Sequence, residues 1–220
     1  MKRLYVDIHK RIQGFELDIQ IESDAKRIGI LGASGAGKSM TLRSIAGIED
    51  LDSGRIEIGG RKLYDSEKKI NLKPQQRKVG YMFQNYALFP TMSVVKNVMA
   101  GIKEGSREER ADKAREMLSR FKLSELESRL PGELSGGQQQ RTALARIMVT
   151  EPDMILLDEP FSALDSFLKE EMQTEMEEML QDYKGQLIMV SHNIEELKRF
   201  SDELLEISSG KVLRHIGLEK

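Results

Sequence analysis

The stretch Gly32-Ala33-Ser34-Gly35-Ala36-Gly37-Lys38-Ser39 fits the pattern G-x-x-x-x-G-K-[ST] and follows directly on the apolar run Ile28-Gly29-Ile30-Leu31. Glycines let such a loop turn back so that successive backbone N–H groups converge on a phosphate, while Lys38 supplies a point charge and Ser39 a hydroxyl for Mg2+. Apolar residues at 42, 45 and 46 then fall at helical spacing, and the N-terminus of a helix favours an anion. The pattern implies a grip on a nucleoside triphosphate, and a strand before the loop with a helix after it is what that mechanism needs.

Carboxylates come next. Asp158-Glu159 follows the apolar run Met154-Ile155-Leu156-Leu157. A carboxylate at 158 can hold Mg2+ directly or through water, and a second one at 159 can polarise a water for in-line attack on a γ-phosphate. The plainer reading is that Asp-Glu-Pro only ends a strand. In Leu134-Ser135-Gly136-Gly137-Gln138-Gln139-Gln140-Arg141 glycines open a second helix, with Leu144, Ala145 and Met148 at helical spacing. Ser135 and the N–H groups of that first turn can bind another phosphate, although by itself the stretch also reads as a capped, glycine-rich turn.

These residues need elements to carry them. Four short apolar runs read as buried strands, and each ends at a distinctive residue: 28–31 at the phosphate loop, 79–83 at Gln84, 154–157 at Asp158-Glu159, and 187–190 at Ser191-His192. In a parallel sheet all four ends lie on one edge, where open α/β sheets bind ligands. Leu4-Tyr5-Val6-Asp7-Ile8 and Phe15-Glu16-Leu17-Asp18-Ile19 instead alternate apolar and polar residues, as half-exposed antiparallel strands do, and with Arg55-Ile56-Glu57-Ile58 they predict a small β layer on the same core. From about 91 to 150 the pattern is helical, which predicts an inserted helical lobe.

Composition bounds the reading. A chain of 220 residues suits one large domain or two small ones, and 34 basic against 36 acidic residues argue against a nucleic-acid partner. Lys10-Arg11 reads as solvated surface. Without cysteine there is no disulfide framework and no thiolate metal site. No stretch approaches the ~20 apolar residues of a membrane span, so the chain is expected to be soluble on its own.

The phosphate loop, Gln84, Leu134-Ser135-Gly136-Gly137-Gln138, Leu156-Leu157-Asp158-Glu159-Pro160, Ser162-Ala163-Leu164-Asp165 and His192 together resemble, in order and approximate spacing, the nucleotide-binding subunits of ABC transporters. The resemblance implies a single ABC ATPase domain of α/β class: a phosphate-loop NTPase core with a mainly parallel sheet and N-terminal antiparallel layer over 1–85 and 151–220, and a helical subdomain over about 86–150. It implies ATP and Mg2+ as cofactors and a head-to-tail homodimer. In that dimer Ser135, Gly136, Gly137 and Gln138 of one copy close over ATP held by residues 32–39 and Thr41 of the other. Lys38, Gln84, Glu159 and His192 then serve catalysis, with Glu159 positioning the attacking water and His192 holding the γ-phosphate. Ser39, Gln84 and Asp158 serve the metal. One feature departs from the family: no aromatic stands around residues 9–14 to stack on adenine, and Tyr5 and Phe15 read better as strand and core packing.

Tyr86-Ala87-Leu88-Phe89-Pro90 with Met92-Ser93-Val94, and Arg129-Leu130-Pro131-Gly132-Glu133, resemble the importer branch, in which exposed Leu88, Phe89 and Met92 receive a helix of an integral membrane permease. An extracytoplasmic solute-binding protein is then an indirect partner, and the chain belongs on the cytoplasmic face of the membrane. Residues 60–66 and 72–81 look most like molybdate importer ATPases, with sulfate, iron and polyamine importers sharing much of the pattern. Because the chain stops at Lys220, no appended regulatory β domain is expected. Inhibition of the isolated protein by its own solute would overturn that expectation.

Overall fold

The computed structural model describes residues 4–162 and 166–218. The chain begins with β1 (Leu4–Ile12), β2 (Phe15–Ser23) and β3 (Arg27–Leu31), and passes through the phosphate loop into α1 (Lys38–Ala46). There follow β4 (Ser53–Ile58), β5 (Arg61–Asp65), the two-residue β6 (Ile70–Asn71) and β7 (Val79–Met82). Three helices come next: α2 (Val94–Met99), α3 (Arg107–Arg120) and α4 (Gly136–Met148). The chain then forms β8 (Met154–Asp158), α5 (Ser166–Leu180), β9 (Gln186–Ser191), α6 (Ile194–Phe200), β10 (Glu203–Ser208) and β11 (Lys211–Gly217).

All the strands join one sheet, in the order β6-β5-β4-β1-β2-β11-β10-β3-β9-β8-β7. From β6 to β2 neighbours run antiparallel, while β10, β3, β9 and β8 run parallel. The expected antiparallel layer is therefore continuous with the parallel core rather than separate from it. The link is β11, antiparallel to β10 and paired with β2 at Lys211 and Asp18, beside which the Asp18 N–H donates to the Gly210 carbonyl at 2.7 Å.

Burial follows the two strand types. In β1 and β2 alternate residues Leu4, Val6, Ile8, Leu17, Ile19 and Ile21 are buried, as the sequence alternation requires. Every residue of β8 and β9 is buried, which is why those strands read as unbroken apolar runs. Leu42 and Ile45 of α1 complete the same core.

The chain divides into two compact units, one of residues 1–81, 153–159 and 185–220, the other of 82–152 and 160–184. The second unit is the helical one, and it takes in α5, beyond the 86–150 expected from sequence. Met172, Met176 and Leu180 of α5 are buried, and Lys122 and Glu178 pair at 3.3 Å within this unit. Within it α3 is held by a capping box, in which Ser106 Oγ accepts the Glu109 N–H and the Glu109 carboxylate accepts the Ser106 N–H. Among the described residues no helix is long and apolar enough to cross a membrane.

Candidate active site

The phosphate loop takes its shape from its own backbone and from the strands beneath it. Gly37 caps α1 at φ 106°, a left-handed conformation that a side chain would strain. A Cβ on Gly32 would lie 2.4 Å from the Ile207 carbonyl oxygen, so only glycine lets the loop sit on β10. Lys38 Nζ donates to the carbonyls of Gly32 at 2.8 Å and Ala33 at 3.0 Å, holding the curl, while Ala33, Ser34 and Gly35 face solvent. Gly210 N–H donates to the Ala36 carbonyl at 2.9 Å, so the turn between β10 and β11 supports the loop from below. Thr41 is fully buried and spends its hydroxyl on the Gly37 carbonyl at 3.0 Å, which fixes the last peptide of the loop.

Around this loop the same unit gathers the other polar ends of the sheet. Asp158 closes β8, and its carboxylate accepts Ser39 Oγ on Oδ1 at 2.7 Å and the Tyr81 hydroxyl on Oδ2 at 2.7 Å. Glu159 turns off the strand in left-handed backbone, φ 46°, with its N–H donating to the Val190 carbonyl at 3.1 Å. Its Oε1 lies 3.4 Å from Lys38 Nζ and its Oε2 3.3 Å from His192 Nδ1. The His192 side chain is 61% exposed and so is no packed core histidine. Lys38, Ser39, Asp158, Glu159 and His192 thus stand in one cluster beyond the strand ends.

Hard oxygen donors are what the cluster offers a metal. No group of three or more His, Cys, Asp or Glu able to hold one occurs among the described residues. That donor set suits Mg2+, which is commonly held by one or two carboxylates together with substrate phosphates and water. Ser39 Oγ and Asp158 fit that role.

The remaining sequence-derived residues belong to the helical unit. Gln84 is exposed, with its side-chain N–H donating to Ser162 Oγ at 2.9 Å. Ala163, Leu164 and Asp165 lie outside the described residues. Ser135 caps α4: its Oγ accepts the Gln138 N–H at 3.3 Å, and Gln138 Oε1 accepts the Ser135 N–H at 2.9 Å. The N–H groups of Gly136 and Gly137 in the same turn are the natural donors for an outside anion. Phe89 and Met92 are exposed, as expected, but Leu88 is half-buried. Buried Asn97 shapes this stretch, exchanging hydrogen bonds with the Phe89 N–H and carbonyl and donating to the carbonyls of Met92 and Ser93.

Sequence reasoning passed over the roles of Tyr81 and Gly210. Tyr81 carried a signal, because a tyrosine inside a buried strand needs a partner for its hydroxyl. Burial, and then the hydrogen bond to Asp158, push its pKa upward, so it remains a neutral donor. Half-buried Phe15 packs on the core, and its ring edge lies 3.2 Å from where a Gly37 Cβ would stand. Nothing in the local sequence of Gly210 shows that it supports the loop, 174 residues away by the difference 210 − 36.

The ABC transporter family profile matches residues 16–162 of the chain. A molybdenum import ATP-binding protein, ModC, of Haemophilus ducreyi is 37% identical over 213 residues, 96% of this chain and 59% of that protein. A spermidine/putrescine import ATP-binding protein, PotA, of Trichormus variabilis is 40% identical over 203 residues, 91% of this chain and 51% of that one. The chain therefore spans little more than half the length of these curated relatives. A solved dimer of the ATP-binding cassette MJ0796 in a post-hydrolysis state, bound to ADP and Pi, superposes with a TM-score of 0.76 at 28% identity over 100% of both chains. With the phosphate loop, the paired carboxylates and the α4 cap all inside or beside the matched span, the chain belongs to the ABC transporter family.

Proposed function

We propose that this chain is the ATP-hydrolysing motor subunit of an ABC importer. The observation that carries the reading is the contact chain Lys38, Glu159, His192 at the phosphate loop, with Ser39 and Asp158 beside it. The N-terminus of α1 and the exposed N–H groups of the loop bind the phosphates, and Lys38 turns from loop carbonyls toward them. The Glu159 carboxylate orients the attacking water and accepts its proton, and the contact with His192 steers that carboxylate. His192 keeps its second ring nitrogen for a γ-phosphate oxygen. Ser39 and Asp158 would hold Mg2+, which would neutralise charge on the phosphates.

In this reading two copies close head to tail on ATP, with Ser135, Gly136, Gly137 and Gln138 of each completing the other's site. The relation to a dimeric cassette of the same family supports it. Exposed Phe89 and Met92 receive a permease at the cytoplasmic face of the membrane, and an extracytoplasmic binding protein delivers the solute to that permease. The solute is molybdate or a related oxyanion, supported by the relative that aligns with 96% of the chain. A polyamine is the second reading, supported by a relative of higher identity.

The test is to purify tagged Glu159→Gln chain with ATP from its native membranes and identify its companions by mass spectrometry. A membrane protein of several spans supports the transport reading. Only soluble or ribosomal companions move the function to the non-transport ABC ATPases. Uptake of molybdate against that of spermidine, in cells with and without the chain, then separates the two solutes.

A further inference from the structure

The Asp158 carboxylate is held at both oxygens. Ser39 Oγ donates to Oδ1 and the Tyr81 hydroxyl to Oδ2, each at 2.7 Å. Asp158 is only 7% exposed, so water has little access to replace either donor. A carboxylate gripped at one oxygen alone can rotate about its terminal bond, a broad and soft torsion. Gripped at both, it keeps one orientation. Ser39 has a single hydrogen and two lone pairs, so while it donates to Oδ1 its oxygen can still serve a hard cation. Tyr81 sits on β7 and Asp158 at the end of β8, neighbouring strands of the sheet, so their bond is set by the backbone rather than by a mobile loop.

We propose that the Tyr81 hydroxyl is a positioning group for the divalent cation: it fixes the rotation of the Asp158 carboxylate, keeping Oδ1 and Ser39 Oγ as one paired oxygen site. This rests on the reading that Ser39 and Asp158 hold Mg2+ with the nucleotide. In this proposal Tyr81 acts through Asp158. Its removal therefore shows in the metal-dependent part of binding and not in the metal-free part.

The test is calorimetric titration of the full chain with a non-hydrolysable ATP analogue, with Mg2+ and with EDTA, for the parent and for Tyr81→Phe. The expected result is an unchanged affinity in EDTA and an affinity gain from Mg2+ that falls about tenfold, the scale of one hydrogen bond to a charged group. In an Asp158→Asn background Tyr81→Phe is expected to add nothing, since the two act as a unit. Tyr81→Met, read in the same way, separates the hydroxyl from the packing of the ring. The same Mg2+ gain in parent and variants overturns the proposal, as does an equal loss with and without metal, which marks a purely structural bond. A parent whose affinity gains nothing from Mg2+ overturns the metal reading and the inference together.

Discussion

Glu159 holds left-handed backbone at φ 46°, a conformation costing a non-glycine residue about 1 kcal/mol, and its carboxylate there meets both Lys38 and His192. Because glutamine keeps the shape and removes the base, Glu159→Gln is expected to bind ATP as the parent does while turnover falls roughly 10²- to 10⁴-fold. Equilibrium binding and single-turnover kinetics read the two effects separately, and near-parental turnover would remove Glu159 from the catalytic role. Lys38→Ala takes away both the loop's internal clasp and the charge for the phosphates. It is expected to weaken nucleotide binding itself by about tenfold or more, and an unchanged Kd would count against the phosphate-loop assignment.

At the scale of elements, α1 carries the site on its first turn and is anchored at its last. The buried Arg77 guanidinium donates to the carbonyls of Ser44, Ile45 and Leu72 and to Asn71 Oδ1. Burial pulls its pKa down to about 10, which still leaves it charged at neutral pH beside the negative end of the helix. Arg77→Met strands those acceptors and is expected to cost on the order of 3 kcal/mol in urea unfolding. Of the Lys10-Arg11 pair, Arg11 is solvated surface as expected, its side chain 73% exposed, whereas Lys10 meets Glu49 at 3.0 Å with its side chain 14% exposed. On α3, hydrogen bonds from the Ser106 backbone N–H and then its hydroxyl hold the Glu109 carboxyl below its ordinary pKa. A lowered carboxyl pKa stabilises the fold above the unfolded value, near about 4.3, and loses that contribution as pH falls through the folded value. The stability gap between the parent and Glu109→Ala is therefore expected to close in acid; a gap unchanged down to pH ~3 would show that the cap is not electrostatic.

At the scale of the whole molecule, the proposed dimer puts the α4 cap of one copy against the nucleotide of the other. Glu159→Gln with ATP is expected to elute at twice the mass of the nucleotide-free chain in size exclusion with light scattering. Adding Ser135→Arg, which crowds the first turn of α4, is expected to return the monomer while leaving ATP binding intact. A dimer that survives Ser135→Arg would place the contact elsewhere.

Much of this protein is decided by local pattern. The phosphate loop, the β8 carboxylates and the α4 cap are runs of adjacent residues, so they were legible before any fold was known. The buried parallel strands were legible for the same reason, because a strand covered on both faces must be apolar throughout. What the sequence could not decide were contacts between residues distant along the chain. Tyr81 on Asp158, Gly210 under Ala36, Arg77 on the end of α1 and β11 bridging two kinds of sheet all depend on which strands become neighbours. That choice comes from the packing of the whole core, and local composition records each partner without recording the pair.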